Sequence, residues 1–150
     1  MLKIRQATIE DEASIFTLFK QLPSRQKASQ SPLHQQSGVI TFQDMVKNEE
    51  KGTILLAEQD GDILGVITLS YPVAIRCSGI YTCIEEFIVS EQARGKGVGG
   101  QLLKAAITEA TTRGCYELQV NNPSELGYPL YIQHGLKDNG KHLKIKLSQA

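Results

Sequence analysis

Seven consecutive residues, Arg94-Gly95-Lys96-Gly97-Val98-Gly99-Gly100, place four glycines and two cations in one short turn. Directly after them Leu102, Leu103, Ala106, Ile107 and Ala110 recur at the spacing of one helical face, so the turn opens a helix that stops near Gly114. Glycines let main-chain N–H groups converge on a ligand, and the first turn of a helix offers unbonded donors with a dipole that favours an anion. The chemistry implied is recognition of a phosphate. A flexible connection that needs only positive φ angles is the plainer reading, and the coincidence of Arg94 and Lys96 with the glycines favours the phosphate.

Which phosphate is a second question. Gly95-x-Gly97-x-x-Gly100 formally matches a dinucleotide fingerprint, with Glu117 about twenty residues on as its acid. In that arrangement the glycines follow their strand almost at once, whereas Ser90 to Arg94 intervene here after Val89. Glu117 also opens the next strand instead of ending it, and the chain has no room for further βα units beyond it.

The elements that must carry this turn can be read from patterning. Leu2 to Gln6 alternates as a half-buried strand, and Thr8 with Asp11 forms a helix-capping pattern before a first helix to about Gln21. Ser24 to Gly38 holds only Ala28 and Leu33 as core-type residues and reads as a long surface loop. Thr41 with Asp44 repeats the cap, and Phe42, Met45 and Val46 share a helical face, so a short second helix is expected to about Glu49. Thr53–Gln59 and Ile63–Tyr71 are strands joined by the tight turn Asp60-Gly61-Asp62. Ile80–Val89 is a long strand rich in β-branched and aromatic residues, and Tyr116–Val120 is another on the far side of the glycine-headed helix. That strand-helix-strand unit requires a parallel pair beside the antiparallel hairpin, hence a mixed sheet. After Asn121-Asn122-Pro123, either Asn122 caps a helix or the helix starts only near Tyr128 with Pro129 in its first turn. Leu143–Leu147 alternates like a closing edge strand.

Composition bounds the partners. With 150 residues, 41% of them hydrophobic, the chain suits one globular domain spanning 1–150. Sixteen basic and sixteen acidic residues leave no net field for nucleic acid or an anionic membrane surface. Cys77, Cys83 and Cys115 are odd in number and lack metal-site spacing, so they read as reduced thiols of a cytoplasmic protein with no metal. No apolar run approaches a membrane span.

Beyond the glycine turn the motifs widen to Glu85-Glu86-Phe87-Ile88-Val89 before it, Leu102-Leu103 after it and Tyr131-x-x-x-Gly135-Leu136 near the C-terminus. Together they resemble the GNAT N-acetyltransferases, whose acetyl-CoA signature Q/R-x-x-G-x-G/A is met at every position by Arg94 to Gly99. The resemblance covers essentially the whole chain. It departs at Leu136, where the family usually has Phe, and at Gly127 and Pro129 in the last helix. It implies an α/β fold with a mixed, mostly antiparallel sheet, a splayed parallel strand pair and flanking helices. It also implies acetyl transfer from acetyl-CoA to a primary amine of a small molecule or protein, and leaves room for a homodimer.

On this resemblance the amides of Gly95 to Gly100, Val98 among them, hold the pyrophosphate with Arg94 and Lys96 as charge partners. The splayed strand frees main-chain groups of Phe87, Ile88 and Val89 for the pantetheine arm and one N–H for the thioester oxygen. Tyr131 is the acid that protonates the leaving sulfur. Asn122 is a polar contact to CoA or simply a cap. For the base, Glu85 and Glu86 are the candidates, and strand alternation sends them to opposite faces so that at most one meets the acceptor. A glutamate that some members carry twelve residues before the tyrosine is Gln119 here, which cannot act as a base. His34 and His134 lack a partner and carry little weight. Acceptor choice falls to variable loops such as Ser24–Gly38, where Arg25, Lys27 and His34 add basic character. The rival readings are a CoA-binding regulatory module that has lost turnover and a nucleotide-dependent oxidoreductase.

Overall fold

Strands β2 (Gly52–Gln59) and β3 (Asp62–Ser70) form the middle of the fold, joined by a two-residue turn in which Asp60 and Gly61 both adopt positive φ (53° and 83°). Such a turn matches the right-handed twist of the strands it connects. The computed structural model describes residues 1–22 and 32–147. Around the hairpin the five-stranded sheet runs β1-β2-β3-β6-β7, with β1 Lys3–Gln6, β6 Thr82–Val89 and β7 Leu118–Val120. Every neighbouring pair is antiparallel except β6 with β7. A small hairpin, β4 (Val73–Ala74) with β5 (Gly79–Ile80), projects between β3 and β6.

Residues 52–57 are buried without interruption, which follows from a sheet covered on both faces. On one face Ile54, Leu56, Val66 and Ile88 pack with Ile15, Leu18 and Phe42 of helices α1 (Glu12–Phe19) and α2 (Pro32–Lys47). On the other, Leu55, Ala57, Ile67 and Leu69 meet Val98, Leu102 and Ala106 of α3 (Val98–Thr112) and Tyr131 of α4 (Tyr128–Gln133). Gly65 in β3 seats α3: a Cβ there would lie 2.9 Å from Leu102 Cδ1 and 3.1 Å from the Ile88 carbonyl oxygen. No side chain larger than hydrogen lets the head of α3 sit this close to the sheet.

Two expectations change. α2 begins at Pro32, so the segment expected as loop up to Gly38 is helical from there, and the rest of that loop lies outside the described residues. Proline suits a first helical turn, and Gln36, Ser37 and Ile40 of α2 are exposed, so this stretch needs no apolar partner. Thr41 is therefore not a cap; its hydroxyl donates to the Ser37 carbonyl 2.8 Å away. The closing strand at 143–147 does not form: the segment carries no strand pairing, and Leu143 and Ile145 are 88% and 82% exposed. β7 is only three residues long and turns away at Asn122, whose φ is 51°, so it offers little ladder to a further strand.

The first strand and the first helix are tied by one cation. Arg5 Nη1 and Nη2 each lie 2.9 Å from an Asp11 oxygen, and Nη2 is also 2.9 Å from Glu58 Oε1 on β2. The Thr8 N–H donates to Asp11 Oδ2 at 2.7 Å, as the capping pattern requires. The bonds from Arg5, opposed by burial and helped by Thr8, lower the Asp11 carboxyl from the ordinary 3.8 to about 2. A group whose folded value lies below its unfolded one contributes stability above the unfolded value and loses it as pH falls toward the folded one. Asp11→Asn should therefore lower the unfolding free energy at neutral pH by about 1–3 kcal/mol. It should also flatten the stability profile between about pH 4 and pH 2. Urea titrations across that range check this; an unchanged acid slope in the variant would contradict it.

Candidate active site

The centre of the site is an irregularity in β6. Thr68 of β3 faces Glu86 while its neighbour Leu69 faces Ile84, so Glu85 is one residue more than β3 can match. Such a bulge resets the alternation of the strand. Ile84 and Phe87, three residues apart, both lie on the α3 face, whereas Ile88 lies on the α1/α2 face. The expectation that Glu85 and Glu86 point to opposite faces is thereby overturned. Both carboxylates reach hydroxyls two residues apart on β3, and thus on one face: Ser70 Oγ donates to Glu85 Oε2 at 2.6 Å, and Thr68 Oγ1 donates to Glu86 Oε1. That face also carries Val66 and Ile88, the side of α1 and α2.

The two carboxylates differ in surroundings. Glu85 is exposed. Burial pushes the Glu86 carboxyl above the ordinary carboxylate range, the charge of Glu85 adds to the rise, and the Thr68 hydroxyl opposes it. A carboxylate with a raised pKa is a stronger base at neutral pH.

Beyond the bulge β6 has no partner on its outer edge among the described residues. β7 pairs with it only at Thr82, Cys83 and Ile84, then leaves through Asn121 and Asn122. Main-chain groups of residues 85–89 that point to this edge are open to a ligand. On the α3 face of the same stretch, Phe87 lies 6.0 Å from the Tyr131 ring, centre to centre. Tyr131 is buried, burial raises its phenol to about 12, and its hydroxyl has no hydrogen-bond partner among the described residues. A phenol in that state keeps its proton at neutral pH and has it available to give.

The glycine turn divides into two tasks. Gly95 and Gly97 both have φ of 80° and nothing within 4 Å of where a Cβ would stand, so they shape an open turn. Gly97 precedes the first residue of α3, whose leading N–H groups no side chain caps. Arg94 and Lys96 are exposed and enter no ion pair among the described residues. Gly99 and Gly100 serve packing as well: a Cβ on Gly99 would lie 3.2 Å from Leu130, 3.6 Å from Val89 and 3.7 Å from Phe87. The fold thus brings Phe87, Val89, Gly99 and Tyr131 together at the head of α3. Ile88 has its side chain in the opposite core, which leaves only its main chain to a ligand.

The remaining candidates are placed elsewhere. Asn122 is exposed, in a left-handed turn six residues before α4, and does not cap that helix, which starts at Tyr128 with Pro129 in its first turn. Glu117 is engaged by Arg76 at 2.6 Å and by Gln119 at 3.1 Å, and the mostly antiparallel sheet is not a dinucleotide-binding one. His134 Nδ1 lies 2.9 Å from the Leu130 carbonyl, behind Gly100 and without a carboxylate. The side chain of His34 lies outside the described residues. Among the described residues there is no cluster suited to a metal and no helix long and apolar enough to cross a membrane. Sequence reasoning missed Thr68 and Ser70; their signal is two hydroxyls on one face of a strand that is apolar from Ile63 to Ile67.

Comparison with known proteins bears on the family and the fold. The profile of the acetyltransferase (GNAT) family matches residues 14–135. The uncharacterized N-acetyltransferase YhfO of Bacillus subtilis is 32% identical over 142 residues, covering 92% of this chain and 91% of that protein. Among solved structures, a transcriptional regulator from Bacillus halodurans superposes with a TM-score of 0.84 at 24% identity, covering 98% of this chain and all of that one. A predicted acetyltransferase with acetyl-CoA from Clostridium acetobutylicum gives 0.81 at 18% identity, covering 97% and 96%.

Gly99→Val should force α3 and α4 apart, with an overpacking cost of about 1–3 kcal/mol. Tyr131 would then lose burial, and its phenol should titrate nearer 10.0 than 12 in ultraviolet difference spectra. A stable variant with an unchanged phenol would show that Gly99 is not a packing position.

Proposed function

The chain belongs to the acetyltransferase (GNAT) family, and from that premise we propose that it is a single N-acetyltransferase domain moving acetyl from acetyl-CoA to a primary amine of a small molecule or protein. The observation that carries this reading is Tyr131: a buried, protonated phenol without a partner among the described residues, set against the unpaired stretch of β6 and the head of α3. Acetyl-CoA supplies the activated acetyl group. The open turn at Gly95 and Gly97 and the uncapped amides of Val98, Gly99 and Gly100 suit a pyrophosphate, with Arg94 and Lys96 adding charge. The outer edge of Phe87 to Val89 suits the amide-bearing pantetheine arm, and an N–H there can bond the carbonyl oxygen as it gains charge. Asn122, at the exit of β7, is a further polar contact.

The chemical step needs a proton removed and a proton supplied. Glu86, with Glu85 beside it, takes the proton from the amine directly or through water. The amine nitrogen then bonds the acetyl carbon, the carbon–sulfur bond breaks, and Tyr131 donates its proton to the departing sulfur. The two carboxylates and the phenol lie on opposite faces of the sheet, so donor and acceptor approach from opposite sides of β6. We place the protein in the cytoplasm, in keeping with its three free thiols.

The test is thiol release from acetyl-CoA with a panel of amino acids, polyamines, aminosugars and a lysine peptide. Release with at least one amine is expected. CoA binding with no release across the panel would favour a regulatory module, and retention of NAD(H) in preference to CoA would favour an oxidoreductase. Tyr131→Phe keeps the ring and removes the proton, so kcat should fall by about 10²–10⁴-fold with CoA affinity nearly unchanged. A collapse in affinity with turnover intact would make Tyr131 a binding residue.

Gly97→Val should weaken CoA binding at least about tenfold, or ~1.4 kcal/mol, because a β-branched residue is strained at a φ of 80° and its side chain intrudes on the phosphate. Calorimetry on the folded variant checks it, and wild-type affinity would move the phosphate elsewhere.

A further inference from the structure

Resting on the assignment of Glu86 as the base, we propose that Thr68 is a positioning residue for the reaction: its hydroxyl holds the β6 bulge and aims the Glu86 carboxylate at the acceptor. Thr68 is 3% exposed, in the centre of a sheet face otherwise built from Val66, Ile88 and the apolar sides of α1 and α2. Its Oγ1 accepts the Glu86 N–H at 2.9 Å and donates to Oε1 of the same residue. One hydroxyl thus bonds both ends of Glu86, main chain and side chain, at the point where β6 carries its extra residue. A hydroxyl has one proton to give and two lone pairs to receive, so Thr68 can take the Glu86 N–H and at the same time give its proton to the Glu86 carboxylate. Oε2 has no hydrogen-bond partner among the described residues and is left for the amine.

The neighbouring pair explains why Glu86 and not Glu85 is aimed in this way. Ser70 holds Glu85 at the surface, where water solvates the charge. Glu86 is half-buried, on the sheet face whose core is the apolar cluster of Val66 and Ile88 with Ile15 and Leu18 of α1 and Phe42 of α2. Glu85 is the charged neighbour that bears on it, and both that charge and burial favour the protonated acid. The Thr68 hydroxyl acts in the opposite sense: it stabilises the carboxylate and limits the rise.

The experiment compares full-length wild type, Thr68→Val, Thr68→Ser and Glu86→Gln. Glu86 titration is followed by NMR of ¹³C-carboxyl glutamate. Thiol release from acetyl-CoA is followed against pH with the panel amine that turns over fastest. In Thr68→Val the Glu86 titration and the acid limb of kcat/KM for the amine should both move up by about one unit. KM for acetyl-CoA should stay unchanged, and Thr68→Ser should return both values toward wild type. If Thr68→Val does not fold, Thr68→Ala reports the same two quantities. No shift in either, while Glu86→Gln is inactive, would overturn the role of Thr68 and leave Glu86 as base. Wild-type turnover by Glu86→Gln would instead overturn the assignment of the base, and the role of Thr68 with it.

Discussion

One extra residue in β6 governs the arrangement of the site. Because Glu85 has no counterpart on β3, the strand changes its inward and outward sense at that point. Ile84 before the bulge and Phe87 after it can then both face α3, while two successive acids share the opposite face. In a regular strand Phe87 would fall on the α1/α2 side, away from Tyr131 and the glycine turn. The bulge also falls where β7 parts from β6, directly after Ile84, so the open edge and the reset face occur together. Bulges near active sites are common for this reason: they re-aim a side chain without breaking the sheet.

The rest of the molecule holds that strand still. β3 is paired on both sides, by β2 and β6, and its two faces are covered by different helices. α3 rests on Gly65 closely enough to bring its first turn level with the end of β6. Gly65 on the sheet and Gly99 on the helix are complementary: one lets α3 approach β3, the other lets α4 approach α3. Tyr131 owes its burial to both contacts, so the state of its phenol is a property of helix packing as much as of local chemistry.

Much of this was legible in the sequence because it rests on local pattern. The Asp60-Gly61 turn, the cap at Thr8 and Asp11 and the helix headed by the glycine turn each follow from residues within a few positions of one another, whereas local pattern left the start of α4 open between Asn122 and Tyr128. What was not legible depends on partners far along the chain. The shared face of Glu85 and Glu86 is set by register against Thr68 and Leu69, which no alternation rule applied to β6 alone can reveal. Pro32 as the start of α2 was hidden because a helix with a polar first half has the composition of a loop. At Leu143 to Leu147 the alternation was real but decided nothing, since a strand needs an edge to join and β7 provides three residues.

That last segment has a further consequence. Leu143 and Ile145, exposed and spaced two apart, are the kind of run that joins an open edge of another molecule. Lys144 and Lys146 are interleaved with them and Lys141 stands just before. Cross-molecular pairing of two such runs would gather their lysines into one narrow ribbon, where like charges repel. The repulsion weakens as salt screens it over a Debye length of about 10 Å at 0.1 M. The interleaved lysines would thus oppose such pairing, and oppose it less as ionic strength rises.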